Sequence, residues 1–328
     1  MSTVYAGGIP LAEVARSGFV EGRHLGSLAL LDASGSLVAS AGDPHGPIFP
    51  RSANKPMQAV AMLRSGLRLA DPADLALVAA SHSGEPFHVA RVRAMLRTGG
   101  LSEDDLRCPA DLPLSEPARA SVFRDGGGPS RVLMNCSGKH TGMLLTCLAA
   151  GWPLDDYRSP EHPLQKACRS AVEDLSGESA AAVGVDGCGA PVLAISLTAV
   201  ARAFLRAASA EPGTPEREVA DAMRGHPELV SGTGADDARL MRGVPGLLSK
   251  GGAEGVVVVA LPGRGAVALK IDDGAMRARM PVLVPALRRL GVDAPVLDEL
   301  AEYPVLGGGI VVGSVRPIHN HPCLAKED

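Results

Sequence analysis

The chain has 328 residues, 46% hydrophobic and 21% charged, enough to bury a large core as one big domain or two lobes of one fold, which excludes wholesale disorder. A formal net charge of −4 and only nine aromatic residues leave neither a basic footprint nor platforms for stacking bases, so no nucleic-acid partner is expected. The first 30 residues have no basic start followed by an unbroken apolar run, which points away from export or a membrane and toward the cytoplasm; the six cysteines then read as thiols rather than a disulfide framework.

In chain order, residues 25–31 and 37–40 flank Asp32-Ala33-Ser34-Gly35 and predict a hairpin. After a Pro- and Gly-rich stretch, residues 52–67 place Met57, Val60, Ala61 and Leu63 at helical spacing, with Pro56 in the first turn where a missing amide is tolerated, so Ser52 stands at a helix entrance. Residues 72–80, 86–97, 140–150, 163–175 and 197–208 all suit the helical period and are separated by Gly, Pro and Ser loops; residues 124–131 read as a flexible loop. The last third changes character. Residues 255–261 and 266–271, joined by Pro262-Gly263-Arg264-Gly265, predict a second hairpin, residues 309–315 a further strand, and residues 319–328 a tail. Strands from both ends and helices between them predict an α+β fold: one antiparallel sheet from about 1–50 and 210–328, with an inserted, mainly helical lobe from about 51–209.

Three motifs fail on context. Residues 263–268 match a dinucleotide fingerprint, but a strand pattern follows where a helix is required. Gly138-Lys139-His140-Thr141 resembles part of a phosphate loop, yet Leu133 replaces the first glycine and His140 the Ser/Thr that would hold magnesium. His319-Asn320-His321-Pro322-Cys323 has ligand types at short spacing, but its place in a tail favours a solvated terminus.

Ser52-Ala53-Asn54-Lys55 is an S-x-x-K, whose i, i+3 spacing puts the amine one turn on and on the serine's face. Taken alone, a capping serine followed by a surface lysine explains it equally. Ser81-His82-Ser83 and Lys250-Gly251-Gly252 follow in an order that resembles the S-x-x-K, S-x-N and K-T-G blocks of penicillin-binding proteins and serine β-lactamases. Only six of the 32 basic residues are lysine, which favours keeping lysine where an amine must lose its proton. For Lys55 to deprotonate Ser52, its pKa must fall from about 10.4 toward about 7 to 8, roughly 4 kcal/mol of environment, supplied by burial and by a second ammonium such as that of Lys250. Cys136 and Cys188 lie in Gly-containing loops; by themselves they are buried thiols or a soft zinc site with Lys139 or His140 as third donor.

Together, Arg51-Ser52-Ala53-Asn54-Lys55-Pro56, Ser81-His82-Ser83-Gly84-Glu85, Cys136-Ser137-Gly138-Lys139-His140, Asp186-Gly187-Cys188, His226-Pro227-Glu228 and Ser249-Lys250-Gly251-Gly252 resemble the Rhizobium-type L-asparaginases from about residue 7 to about 315. The resemblance implies hydrolysis of L-asparagine to L-aspartate and ammonia by a homodimer, on a fold similar to serine β-lactamases and glutaminases. It also implies two Ser–Lys pairs, Ser52 with Lys55 and Ser81 with Lys250, Ser52 being the nucleophile, and one zinc held by Cys136, Lys139 and Cys188. Arg51, His140 and Asp186 match residues near that site: Arg51 would meet the substrate α-carboxylate, and Asp186 its α-ammonium or a metal ligand. Rival readings are a Ser–Lys hydrolase of another amide such as glutamine or a β-lactam, and a non-catalytic zinc-bound binding protein. An autocleaving threonine type at Gly232-Thr233 would leave a cut chain.

Overall fold

A computed structural model describes residues 4–318. The chain opens with β1 (Ile9–Arg16), β2 (Phe19–Asp32), β3 (Leu37–Ala41) and the short β4 (Pro47–Ile48), then enters helices α1 (Lys55–Arg64), α2 (Pro72–Val78), α3 (Pro86–Thr98), α4 (Glu116–Arg124), α5 (Ser137–Ala150) and α6 (Pro163–Ser176). Strands β5 (Ala182–Val185) and β6 (Pro191–Ser196) precede α7 (Leu197–Ala208), α8 (Pro215–Gly225), α9 (Pro227–Val230) and α10 (Asp236–Gly243). The last part runs β7 (Leu248–Gly251), β8 (Val256–Leu261), β9 (Gly265–Ile271), α11 (Arg279–Arg289), α12 (Pro295–Leu300), β10 (Tyr303–Gly307) and β11 (Ile310–Pro317).

The principal sheet has eight strands in the order β10-β11-β1-β2-β9-β8-β7, with β3 also on β2, and every pairing is antiparallel. The α+β architecture, a sheet built from both ends of the chain with helices inserted, is the one the sequence predicts. Val256, Val257, Val258 and Val259 are fully buried although alternate side chains of a strand point to opposite faces, so both faces are covered. Helix α7 packs on β2, β8 and β9, and α11 on β9, β1 and β11. Among the described residues no helix is long and apolar enough to cross a membrane.

The division into a sheet lobe and a helical lobe is less clean than the sequence suggests. β5 and β6, with β4, form a small three-stranded sheet inside the expected helical region, while α8 to α12 lie inside the expected sheet region. β1 and the first half of β2 escape a periodicity reading because Glu21, Gly22 and Arg23 carry that edge into solvent. The 319–323 ligand-type cluster and the 319–328 tail lie outside the described residues.

Helix α1 departs most from its expected character. Every residue from Lys55 to Leu63 is buried, so it is a central helix hidden all round rather than an amphipathic one, and a 3-10 turn over Arg51–Asn54 leads into it. That burial carries Lys55 into the interior beside the loop after α2.

Candidate active site

Three segments converge on one cavity of about 1250 Å³, lined among others by Ser52, Ser81, Asn135, Ser231, Asp236, Asp237, Lys250 and Arg279. The turn into α1 brings Ser52; the loop after α2 brings Ser81; strand β7 brings Lys250. Arg51, immediately before Ser52, has a φ of 54°, a left-handed conformation that a side-chain-bearing residue adopts only under constraint. Asn54, on the other side, is 2% exposed with both amide atoms lacking a hydrogen-bond partner.

Among the described hydrogen bonds of Lys55 none goes to Ser52, the partner that the i, i+3 spacing predicts. Lys55 Nζ donates to the Ser81 hydroxyl at 2.7 Å and to the Ala80 carbonyl at 2.6 Å, so the observed Ser–Lys pair crosses between the two sequence blocks. Ser81 is held in place by its own amide on the Val230 carbonyl, 3.0 Å, and by His82, whose amide donates to the Asn135 carbonyl at 3.1 Å. The His82 ring is completely buried; Nδ1 accepts from the Gly84 amide, which leaves Nε2 the proton to donate to Ser137 Oγ at 2.9 Å. Burial holds its pKa well below the usual imidazole value, so His82 is a neutral brace for the Ser81 loop.

Lys250 is 1% exposed, and its ammonium donates to the Gly251 carbonyl at 2.6 Å. Burial lowers its pKa to about 8; the Asp237 carboxylate, 4.0 Å away, opposes this, and the charges of Lys55 and Arg279 reinforce it. Asp237 accepts from Ser249 Oγ at 2.6 Å and from the Gly251 amide at 2.8 Å, fixing the strand residues on either side of Lys250. Neither Asp237 nor Arg279 stands out in the sequence: each belongs to an abundant residue type, and only the fold buries them.

The remaining candidates form a second cluster. Arg51 Nε donates to Asp186 Oδ1 at 2.7 Å, with Glu254 a further 3.6 Å from the guanidinium, and neither Arg51 nor Asp186 is among the described residues lining the cavity. Cys136 caps α5, Lys139 and His140 occupy its first turn, and Cys188 arrives on the β5–β6 turn; all four are buried. Lys139 Nζ lies 3.1 Å from Cys188 Sγ. A hydrogen bond from Cys136, then Lys139 and His140, hold the Cys188 thiol far below its ordinary pKa against the opposing effect of burial. Cys136 is pushed the other way, first by sharing that bond and then by burial, and its single proton has a second acceptor in Asn135 Oδ1 at 2.9 Å. His140 Nδ1 lies 2.6 Å from the Tyr157 hydroxyl, while Nε2 is buried with no partner; burial takes its pKa down to about 4.

This donor set fits zinc in kind: two soft sulfurs and an amine, all three residues buried. Among the described residues no three His, Cys, Asp or Glu side chains stand close enough to hold a metal, so the thiol pair becomes a three-donor set only through Lys139. Burial pulls the Lys139 pKa down, but the neighbouring thiols more than offset it and the net direction is up, so this lysine is an ammonium paired with a thiolate and would ligate a metal only after losing its proton. The five described cysteines are all free and buried, in line with the thiol reading.

Residues 12–317 match the family model described as L-asparaginase II. No curated protein matches the sequence significantly. Among solved structures, the protein called Mglu in its native form is 18% identical with a TM-score of 0.44, over 81% of this chain and 64% of that one. Mglu in its tris and glutamate form is 16% identical with a TM-score of 0.43, over 85% and 63%. The chain therefore spans a little under two thirds of that protein's length.

Proposed function

The chain belongs to the L-asparaginase II family, and from that premise we propose that it hydrolyses the side-chain amide of L-asparagine to L-aspartate and ammonia with Ser52 as nucleophile. The observation that carries this reading is the cavity wall on which Ser52 and Ser81 meet a buried lysine of lowered pKa, Lys250, while a second lysine, Lys55, is bonded to Ser81.

In the proposed reaction Ser52 Oγ bonds to the amide carbon as its proton passes to the neutral amine of Lys250. The oxyanion meets the backbone amide of Ser52 itself, which lies in the first turn of the 3-10 helix where no intrahelical acceptor exists. The carbon–nitrogen bond then breaks, and the leaving nitrogen takes a proton from the Ser81 hydroxyl, which Lys55 replenishes. Water attacks the resulting aspartyl ester as Lys55, one proton short after that donation, takes the water's proton through Ser81, and the ammonium of Lys250 returns a proton to Ser52 as L-aspartate leaves.

We further propose that Cys136, Lys139 and Cys188 hold one zinc, a reading supported by the short Lys139–Cys188 contact and the burial of all three side chains. When bound there, zinc would supply a fixed positive charge among these three residues. A homodimer in the cytoplasm completes the proposal. Its supports are the exposed apolar side chains of Tyr303, Leu306, Ile310 and Val311 on β10 and β11 at one end of the strand order and the free thiols, which suit a reducing compartment.

Ammonia release from L-asparagine and L-glutamine, measured for the wild type and Ser52→Ala with zinc content on both, tests the reading. We expect asparagine-selective release, a loss of at least about 10³-fold in the variant, and unchanged zinc. Glutamine-selective release would move the substrate one methylene outward in a cavity that has room for it, and no release from either amide would sink the proposal.

A further inference from the structure

The cavity wall holds a charged pair with unfilled valences. Arg279, at the start of α11, is 8% exposed, yet its guanidinium is poorly satisfied. Nη1 donates to the Val256 carbonyl at 3.2 Å, Nη2 reaches Asp236 Oδ2 only at 3.5 Å, and Nε is buried with no partner. Burying a guanidinium this way is costly unless something further completes its hydrogen bonds, since a buried charge needs both a partner and its donors filled. Packing fixes it in place: Nη1 sits so close over Gly251 that a Cβ there would lie 2.6 Å away. Gly251 adjoins Lys250, so Arg279 stands one strand residue from the proposed base.

The two carboxylates beside it differ. Asp237 is committed to Ser249, the Gly251 amide and Lys250. Among the described residues Asp236 has only the long contact to Arg279, and about a third of its side chain, 34%, remains accessible. A fixed guanidinium and a neighbouring accessible carboxylate complement a zwitterion, the carboxylate of an amino acid facing the first and its ammonium the second. The pair that the family resemblance offers for that task, Arg51 and Asp186, neutralise each other outside the cavity lining.

We propose that Arg279 binds the α-carboxylate, and Asp236 the α-ammonium, of the amino-acid amide whose side-chain amide faces Ser52. This assignment rests on the amidohydrolase reading, and it makes these two residues, rather than Arg51 and Asp186, the ones that select an α-amino acid over a plain amide.

The test compares three amides on the purified full chain: L-asparagine, 3-aminopropanamide, which lacks the α-carboxylate, and succinamic acid, which lacks the α-ammonium. Arg279→Gln is expected to lower kcat/KM for L-asparagine about 10²-fold through KM while changing 3-aminopropanamide less than about 3-fold, because the lost contact is a charge-assisted hydrogen bond to the missing group. Asp236→Asn is expected to give the same pattern with succinamic acid as the indifferent substrate. Thermal unfolding verifies that both variants fold, and Arg279→Lys, which keeps the charge without the fork, should recover part of the loss. An equal loss on all three amides, no loss on any, or collapse of the discrimination in Arg51→Gln instead would overturn the assignment. Should the wild type turn over no amide, the amidohydrolase reading fails by itself. The clamp is then read from calorimetric binding of L-aspartate: binding by the wild type that disappears in Arg279→Gln sustains it, and equal binding or none by the wild type refutes it.

Discussion

Lys250 holds an unusual position for a lysine, completely buried with one carboxylate 4.0 Å away and two other cations contributing to its field. With its pKa lowered to about 8, roughly a tenth of it is neutral at pH 7, and the fraction able to accept the Ser52 proton grows as pH rises. We therefore expect kcat/KM for L-asparagine to climb about tenfold from pH 6 to pH 7 and to level off above about pH 8, as a pH–rate profile would show. Lys250→Met should abolish that limb along with most of the activity; a profile flat from pH 6 to 8 in the wild type would remove Lys250 from the role of base. At the proposed zinc site, Cys188→Ser should reduce zinc from about one per chain to below about a tenth while Ser52→Ala keeps it, measured by metal analysis after gel filtration. That Ser52, Ser81 and Lys250 share one cavity, and Lys139 stands beside Cys188, was foreseeable because the sequence blocks that hold them follow in the order of the family they resemble. Asp237 and Arg279 were not, since their importance comes from burial that α10, β7 and α11 create together. The pairing of Lys55 with Ser81 was likewise hidden: local spacing offers Ser52, but the buried path of α1 delivers the amine to the loop after α2.

Helix α5 illustrates how an element carries a site. Its first turn holds Lys139 and His140 only because Gly138 lets it approach α2, where a Cβ would fall 2.5 Å from the Leu77 carbonyl. Gly138→Ala should therefore cost about 1–3 kcal/mol by overpacking and displace the Lys139 amine from Cys188. Chemical denaturation checks the first effect and zinc content the second; an unchanged midpoint would show that α2 yields instead. The long helices were readable from periodicity, and α7 falls on 197–208 as the spacing of apolar residues predicts. The short strands β5 and β6 were not, being only four and six residues long and bordered by glycines that read as loop. α1 misled in another way. A helix buried on every side has no polar face, so its lysine looks like a surface charge until the surrounding helices are in place.

Across the whole molecule, the sheet joins segments far apart in the chain: β2 pairs with β9 from Gly26↔Ile271 to Asp32↔Gly265, and β1 pairs with β11 from Ala12↔Pro317 to Arg16↔Gly313. Two predicted hairpins and a terminal strand made that sheet foreseeable, but not its order, because strand adjacency depends on long-range pairing that no local pattern encodes. The same wiring sets a timetable for synthesis. More than two hundred residues must leave the ribosome after Asp32 before its ladder partner Gly265 exists, a delay on the order of tens of seconds at about 5–20 residues per second. Throughout it the run Leu28–Leu31, all of it buried in the finished protein, waits with one edge open. A ribosome-bound chain stalled at residue 250 should be cut readily within residues 19–32, whereas the released protein resists, and chains made without holding chaperones should aggregate through this segment. A cell producing this protein must shelter its beginning until its end arrives.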